Sequence, residues 1–160
     1  MTKRFLAPNS QNGFSLLELL MVIAIIAVLA AAGSGFYRGV VKNMEIQSIS
    51  KVLASDLRLM RSKSMIGEGG AKWGAHVVNV SGGSQYYELF STPTTYADVA
   101  KSVMSTTTLS SGVTFTNPSA GTSKDIIFTK IAGTTTATTL VLLSEGLTQT
   151  LTISSIGTIY

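Results

Sequence analysis

The chain has 160 residues, 45% of them hydrophobic and only 12% charged, with a mean hydropathy of +0.37. That length holds one ordinary domain with an appended segment, not two cores, and the apolar excess points to a membrane or an assembly surface. There is no cysteine, which excludes disulfides, zinc–thiolate sites and thiol catalysis. The formal charge is +4, and Lys3 and Arg4 supply two of those positives. Others gather along one stretch, Arg38, Lys42, Lys51, Arg58, Arg61, Lys63 and Lys72, as on a solvated helix face beside a membrane. The basic balance is therefore a weak argument for nucleic-acid binding.

In chain order, Met1-Thr2-Lys3-Arg4 is basic, Asn9 to Gly13 is polar, and an apolar run follows from Phe14 to Ala32, broken only by Ser15 and Glu18. From Leu19 to Tyr37 there is no charge. At ~1.5 Å per residue that window spans roughly 28 Å as a helix, near the ~30 Å hydrocarbon core. Lys3 and Arg4 favour a cytoplasmic N-terminus. Three readings fit these features. One is a secretory signal peptide cut after Ala30-Ala31-Ala32, before Gly33; another is an uncleaved signal anchor. The third is a short basic leader ending in glycine, followed by Phe14-Ser15-Leu16-Leu17-Glu18 and the apolar run. In this order and spacing the segment resembles the prepilin signal of the type IV pilin and pseudopilin family.

That resemblance covers residues 1 to about 40 and is generic beyond. It implies cleavage between Gly13 and Phe14 by a prepilin peptidase on the cytoplasmic side, and N-methylation of Phe14. It also makes Glu18 the acid of the motif. A carboxylate in a helix entering the bilayer costs ~2.5 kcal/mol or more near the centre and less at the interface, and a secretory apolar region has no use for one. In a filament, Glu18 would receive the Phe14 ammonium of a neighbouring subunit, as opposite charges at ~4 Å attract by several kcal/mol at intermediate dielectric. The alternative is that Glu18 pairs with its own terminus one turn back, or is protonated. Many family members kink this helix at a proline; here Gly33 and Gly35 flank Ser34. They read either as a helix-melting site, because glycine costs ~1 kcal/mol relative to alanine, or as small residues that let neighbouring helices approach.

After Tyr37 the pattern turns amphipathic. Ile46, Ile49, Leu53, Leu57 and Met60 recur at three- and four-residue spacing, with Val52, Leu59 and Ile66 widening the stripe. The helix is expected to run to Met65 or Ile66 and stop at Gly67-Glu68-Gly69-Gly70, about 78 Å from Phe14 if unbroken. From Trp73 the composition becomes rich in Thr, Ser, Val, Ile and Gly, which predicts strands over 75–80, 85–90, 113–116, 125–130, 139–143 and 148–154. Turns are expected at Ser81 to Ser84, Asn117-Pro118, Ala132-Gly133 and Glu145-Gly146. Residues 92–109 read as a variable loop with a short helix over 96–104. The expected fold is α+β, a long N-terminal helix packed on an antiparallel sheet head. It divides as leader 1–13, transmembrane or filament-core helix 14–37, amphipathic continuation 38–66 and β-rich head 67–160.

The head offers little chemistry. His76 can be drawn into a triad with Ser81 or Ser84 and an acid, but no nucleophile-elbow context surrounds it. Asp98, Asp125 and Glu145 are too scattered for a metal site, and Gly67 to Gly70 follows a helix instead of opening one, unlike a phosphate loop. Trp73, Tyr86, Tyr87 and Tyr96 lack the interleaved bases of a nucleic-acid stacking surface and read as core or interface. Asn79-Val80-Ser81 is a formal glycosylation sequon.

The expectation is a non-enzymatic pilus subunit with no cofactor and no metal. Its partners would be other pilin subunits in a homo-oligomeric filament, the prepilin peptidase, the membrane and an assembly platform; nucleic acid is possible but not indicated. It would be a single-pass membrane protein before assembly and part of an extracellular pilus, or a periplasmic pseudopilus, afterwards. A minor pseudopilin of a secretion or DNA-uptake system is the alternative, which Asp56 to Arg61 loosely resembles. An exported β-rich binding protein is a further one.

Overall fold

The computed structural model describes residues 13–160, and for side chains all of these except 33–36. One helix, α1, occupies Leu16–Met65. Seven strands follow: β1 Lys72–Asn79, β2 Tyr86–Thr92, β3 Ser102–Thr108, β4 Thr114–Asn117, β5 Thr122–Phe128, β6 Thr138–Ser144 and β7 Leu147–Ile153. They form two sheets, in the orders β3-β2-β1-β5 and β4-β6-β7, with every named pair antiparallel. The expected α+β class is what the chain adopts. By packing the chain divides inside α1, one unit ending at Gly39 and the other running from Val40 to Tyr160.

In the second unit, Ile46, Leu53, Leu57 and Met60 form a fully buried stripe along α1, the face that a 3.6-residue period predicts. Ala54 and Ser64 complete it; neither stood out in the sequence, because small residues carry little hydrophobic signal. Ile49 is partly buried against the same cluster. Val52, Leu59 and Ile66 do not widen the stripe but lie exposed. Val52 and Leu59 each sit one residue, about 100°, off a buried position, and Ile66 follows the helix end. The stripe shares one core with Ala75, Val77, Tyr87, Leu89, Ile126 and Phe128 of the larger sheet and Phe115, Leu140, Leu142, Leu151 and Ile153 of the smaller.

Helix α1 stops where the glycine run begins. Gly67 takes φ 70° and ψ 30°, the left-handed conformation that closes a helix and that glycine adopts without a Cβ penalty. Ser64 hydroxyl donates to the Phe128 carbonyl at 2.7 Å, fastening the last turn to β5.

Six strands fall where alternation and turn residues place them, to within about three residues at each end. Residues 96–104 form no helix. Turns at Thr95 to Ala100 lead into β3 instead. Asp98 decides this: its carboxylate accepts from the Ala100 amide at 2.9 Å and from the Thr94 hydroxyl at 2.7 Å, a local bonding pattern that competes with helix. The β-branched residues of Ser102 to Thr108 then pair with β2.

Candidate functional site

The N-terminal segment is built around one cap. Gly13 and Phe14 precede α1 and are exposed. The Glu18 amide donates to the Ser15 carbonyl at 3.1 Å and to the Ser15 hydroxyl at 3.2 Å. Ser15 is thus the N-cap and Glu18 the third helical residue, the S-x-x-E order of a capping box. The carboxylate also lies at the positive end of the helix dipole. Sequence reasoning gave Glu18 a partner in another chain and overlooked this intrachain role, although the Ser15–Glu18 spacing signals it.

Beyond the cap, every apolar side chain described from Leu16 to Ala32 is exposed. Ala24 and Ala27 leave a shallow recess among Leu16, Leu19, Leu20 and Ile23, the kind of relief that small residues give a helix surface. Helix α1 contains the only segment among the described residues long and apolar enough to cross a membrane, with a mean hydropathy of 2.7 in its best window. The backbone is helical through Gly33 and Gly35. The leader before Gly13 lies outside the described residues.

In the head, His76 and the acids near it make contacts within the larger sheet and with the turn beside it. His76 Nδ1 lies 2.5 Å from Asp125 Oδ1, across the β1–β5 pair. Its ring stacks on Tyr96 at 3.6 Å between centroids and 5° between planes. Lys101 caps the Tyr96 ring at 3.4 Å, Phe90 meets it edge-on at 4.9 Å, and the Tyr96 hydroxyl donates to Glu88 at 2.5 Å. Burial first, then the Glu88 carboxylate, pushes the Tyr96 hydroxyl above the ordinary tyrosine range. This cluster pins the 95–101 turn to the sheet.

The four aromatic residues do not share a platform. Tyr87 is buried in the core and donates to Asp56 at 2.7 Å. Desolvation and that bond raise its hydroxyl pKa beyond the usual range. Trp73 donates to the Glu68 carbonyl at 2.9 Å beneath Lys63, and Tyr96 belongs to the His76 cluster. Arg58 and Arg61, in the stretch that loosely resembles a minor subunit, donate to the backbone carbonyls of Ile159, Gly133 and Ile156. Among the described residues no three His, Asp or Glu side chains gather as metal ligands.

The sequon asparagine is structural. Asn79 is 2% exposed, and its amide nitrogen donates to the carbonyls of Phe115 and Pro118, each at 2.7 Å. Its oxygen accepts from Gln85 at 2.7 Å, while Gln85 accepts from the Phe115 amide. Two buried amides thereby tie β1 to β4, and no nitrogen is presented for glycosylation in the folded head.

Comparison with protein families matches residues 8–34 to the prokaryotic N-terminal methylation motif. No curated protein matches the chain, and no solved structure does. The matched segment spans Gly13, Phe14, the cap and the apolar half of α1. It is a prepilin motif of the type IV pilin and pseudopilin kind, and it implies processing by a prepilin peptidase and assembly with other pilin-type subunits.

Proposed function

We propose that this prepilin-type chain is a structural subunit of a type IV pilus. Peptidase cleavage between Gly13 and Phe14 frees an amine on Phe14, which is then methylated, and removes Lys3 and Arg4. The helix after it holds the subunit in the membrane until assembly. In the filament, the apolar faces of neighbouring helices cover one another, and Glu18 of one chain receives the Phe14 ammonium of another. Two unit charges ~4 Å apart attract by about 4 kcal/mol at an effective dielectric of 20. Desolvation offsets part of this, so the pair acts chiefly on register. Gly33 and Gly35 are the positions where the helix melts or packs most closely against a neighbour.

The observation that carries this reading is the exposure of every described apolar side chain from Leu16 to Ala32 directly behind the motif. N-terminal sequencing and mass spectrometry of the mature protein test it: N-methyl-Phe14 is expected, and a mature chain beginning at Gly33 would refute it. Recovery in sheared surface filaments is the further expected result. Recovery only in the cell envelope would assign the chain to a pseudopilus instead.

A further inference from the structure

We propose that the segment over residues 95–101 is an acid-released strap on the outer face of the larger sheet, and that protonation of His76 loosens it. The device lies wholly within the head and does not rest on the filament reading.

Tyr96 carries the contacts of the strap with the sheet. His76 and Glu88 alternate with the buried Ala75, Val77, Tyr87 and Leu89, so they face away from the core. The Tyr96 ring lies on the His76 ring at 3.6 Å and 5° and meets Phe90 edge-on at 4.9 Å. Its hydroxyl donates to Glu88 at 2.5 Å. Phe90 is fully buried, so release of Tyr96 uncovers apolar surface. The other bonds here, Thr92 to Thr95 and Asp98 to Thr94 and Ala100, shape the connection from β2 and do not tie it down.

Charged and titratable groups reach His76 from every element around it. On β5, Asp125 lies 2.5 Å from Nδ1; on β2, Glu88 is the cross-strand partner, with Tyr86 one step along the same face. Lys72 stands four residues away on β1. The strap brings Tyr96, Asp98 and Lys101. Both facing carboxylates, Asp125 and Glu88, belong to the sheet, so they favour an imidazolium whether the strap is seated or lifted. What the seated strap adds works against that charge. Lys101 Nζ sits 3.4 Å from the Tyr96 centroid, necessarily on the face that His76 does not occupy, so two cations would bear on one phenol ring. The ring attracts either of them but leaves their mutual repulsion. The Tyr96 hydroxyl engages Glu88, a counter-charge the imidazolium would use, and the seated strap leaves the His76 side chain only 12% exposed, which disfavours a charged form. Asp98 is committed within the strap: the Ala100 amide first, then the Thr94 hydroxyl, hold its carboxyl below the usual range. Histidine ordinarily changes charge between pH 5 and 8, and in that window the strap seats best over the neutral ring.

Limited proteolysis tests this, because cleavage inside a folded turn tracks the population of its opened form. The full chain in detergent is digested with papain, and rates are normalised to a synthetic peptide covering residues 92–104. Cutting within 95–101 is expected to be about threefold faster or more at pH 5 than at pH 8, with a midpoint that coincides with the His76 ring titration followed by NMR. His76→Phe keeps a ring beneath Tyr96 with no proton to gain, so it should lose the pH dependence. Lys101→Met removes the second cation and should shrink the ratio below about twofold at unchanged Tm. Equal or slower cutting at pH 5 would overturn the proposal. So would acid-fast cutting that persists in a folded His76→Phe chain, which would assign the response to Glu88 or Asp125. Should His76→Phe fail to fold, Lys101→Met still decides: an undiminished ratio there overturns the role given to the paired cations and with it the proposal.

Discussion

The same helix solves two different problems along its length. Behind Phe14 the described apolar residues of the helix lie exposed through Ala32, and no described residue buries them. Beyond Val40 they narrow to one stripe, Ile46, Leu53, Leu57 and Met60, which two sheets bury completely. An isolated chain therefore satisfies the hydrophobic demand of the second region and leaves that of the first to a bilayer or to other helices. Stability measured on the subunit reports the head; assembly reports the stem.

Core truncation should separate the two regions most sharply. Leu57→Ala is expected to cost ~2–5 kcal/mol, the range for deleting a buried leucine side chain, in chemical denaturation of the full chain in detergent. Leu20→Ala, on the exposed stretch, should fall within ~0.5 kcal/mol in the same assay yet impair filament assembly. Equal losses of stability would mean that the stem is covered by its own chain.

The amide pair comes next. Asn79→Ala removes the donor to Phe115 and Pro118 and strands Gln85. Leaving buried polar groups unpaired costs ~1–3 kcal/mol each, so a loss of at least 2 kcal/mol is expected by the same principle, read as a lowered denaturation midpoint. This residue also marks a limit of sequence reading. Asn79-Val80-Ser81 scans as a surface sequon, and only the position of Phe115 and Pro118, 36 and 39 residues away, reveals a buried tie.

Other features were legible for physical reasons. The helix stop at Gly67 and six strands follow from glycine turns and from alternation, both local signals. β3 was not legible, because it is an edge strand with most of its side chains on solvent and no fully buried position. Its order comes from pairing with β2, a non-local contact. In the N-terminal site, the residues of the motif were readable as a resemblance, but the cap that Ser15 makes on the Glu18 amide was overlooked.

A smaller effect is expected from Tyr87. Its folded pKa is raised by burial first and by the Asp56 bond second, so the unfolded chain loses this proton before the folded one does. The associated stability is present below the ordinary tyrosine value of about 10 and is lost as pH rises above it. Tyr87→Phe should cost ~1 kcal/mol at neutral pH and flatten the alkaline decline. A slope between pH 9.5 and 11 identical to the parent would reject this account. Tyr96 is shifted in the same sense and accounts for a remaining slope.

The smallest stability effect should come from the cap, and it resolves what Glu18 does. Ser15→Ala removes the side-chain acceptor for the Glu18 amide and is expected to cost ~0.5–1 kcal/mol of first-turn stability, the lower part of the range for losing an N-cap. By RT that corresponds to roughly two- to fivefold faster amide exchange at Glu18. Glu18→Gln keeps a residue that a capping box accepts but removes the charge. If Glu18 serves assembly through its carboxylate, Glu18→Gln should stop filament formation while exchange at the first turn stays near the parent value, and Ser15→Ala should do the reverse. Should Ser15→Ala abolish filaments and Glu18→Gln spare them, assembly would depend on the cap, and the carboxylate would not be an intersubunit counter-charge. The comparison works because the two roles use different atoms: the cap uses the Glu18 backbone N–H and the Ser15 hydroxyl, and the ion pair uses the carboxylate alone.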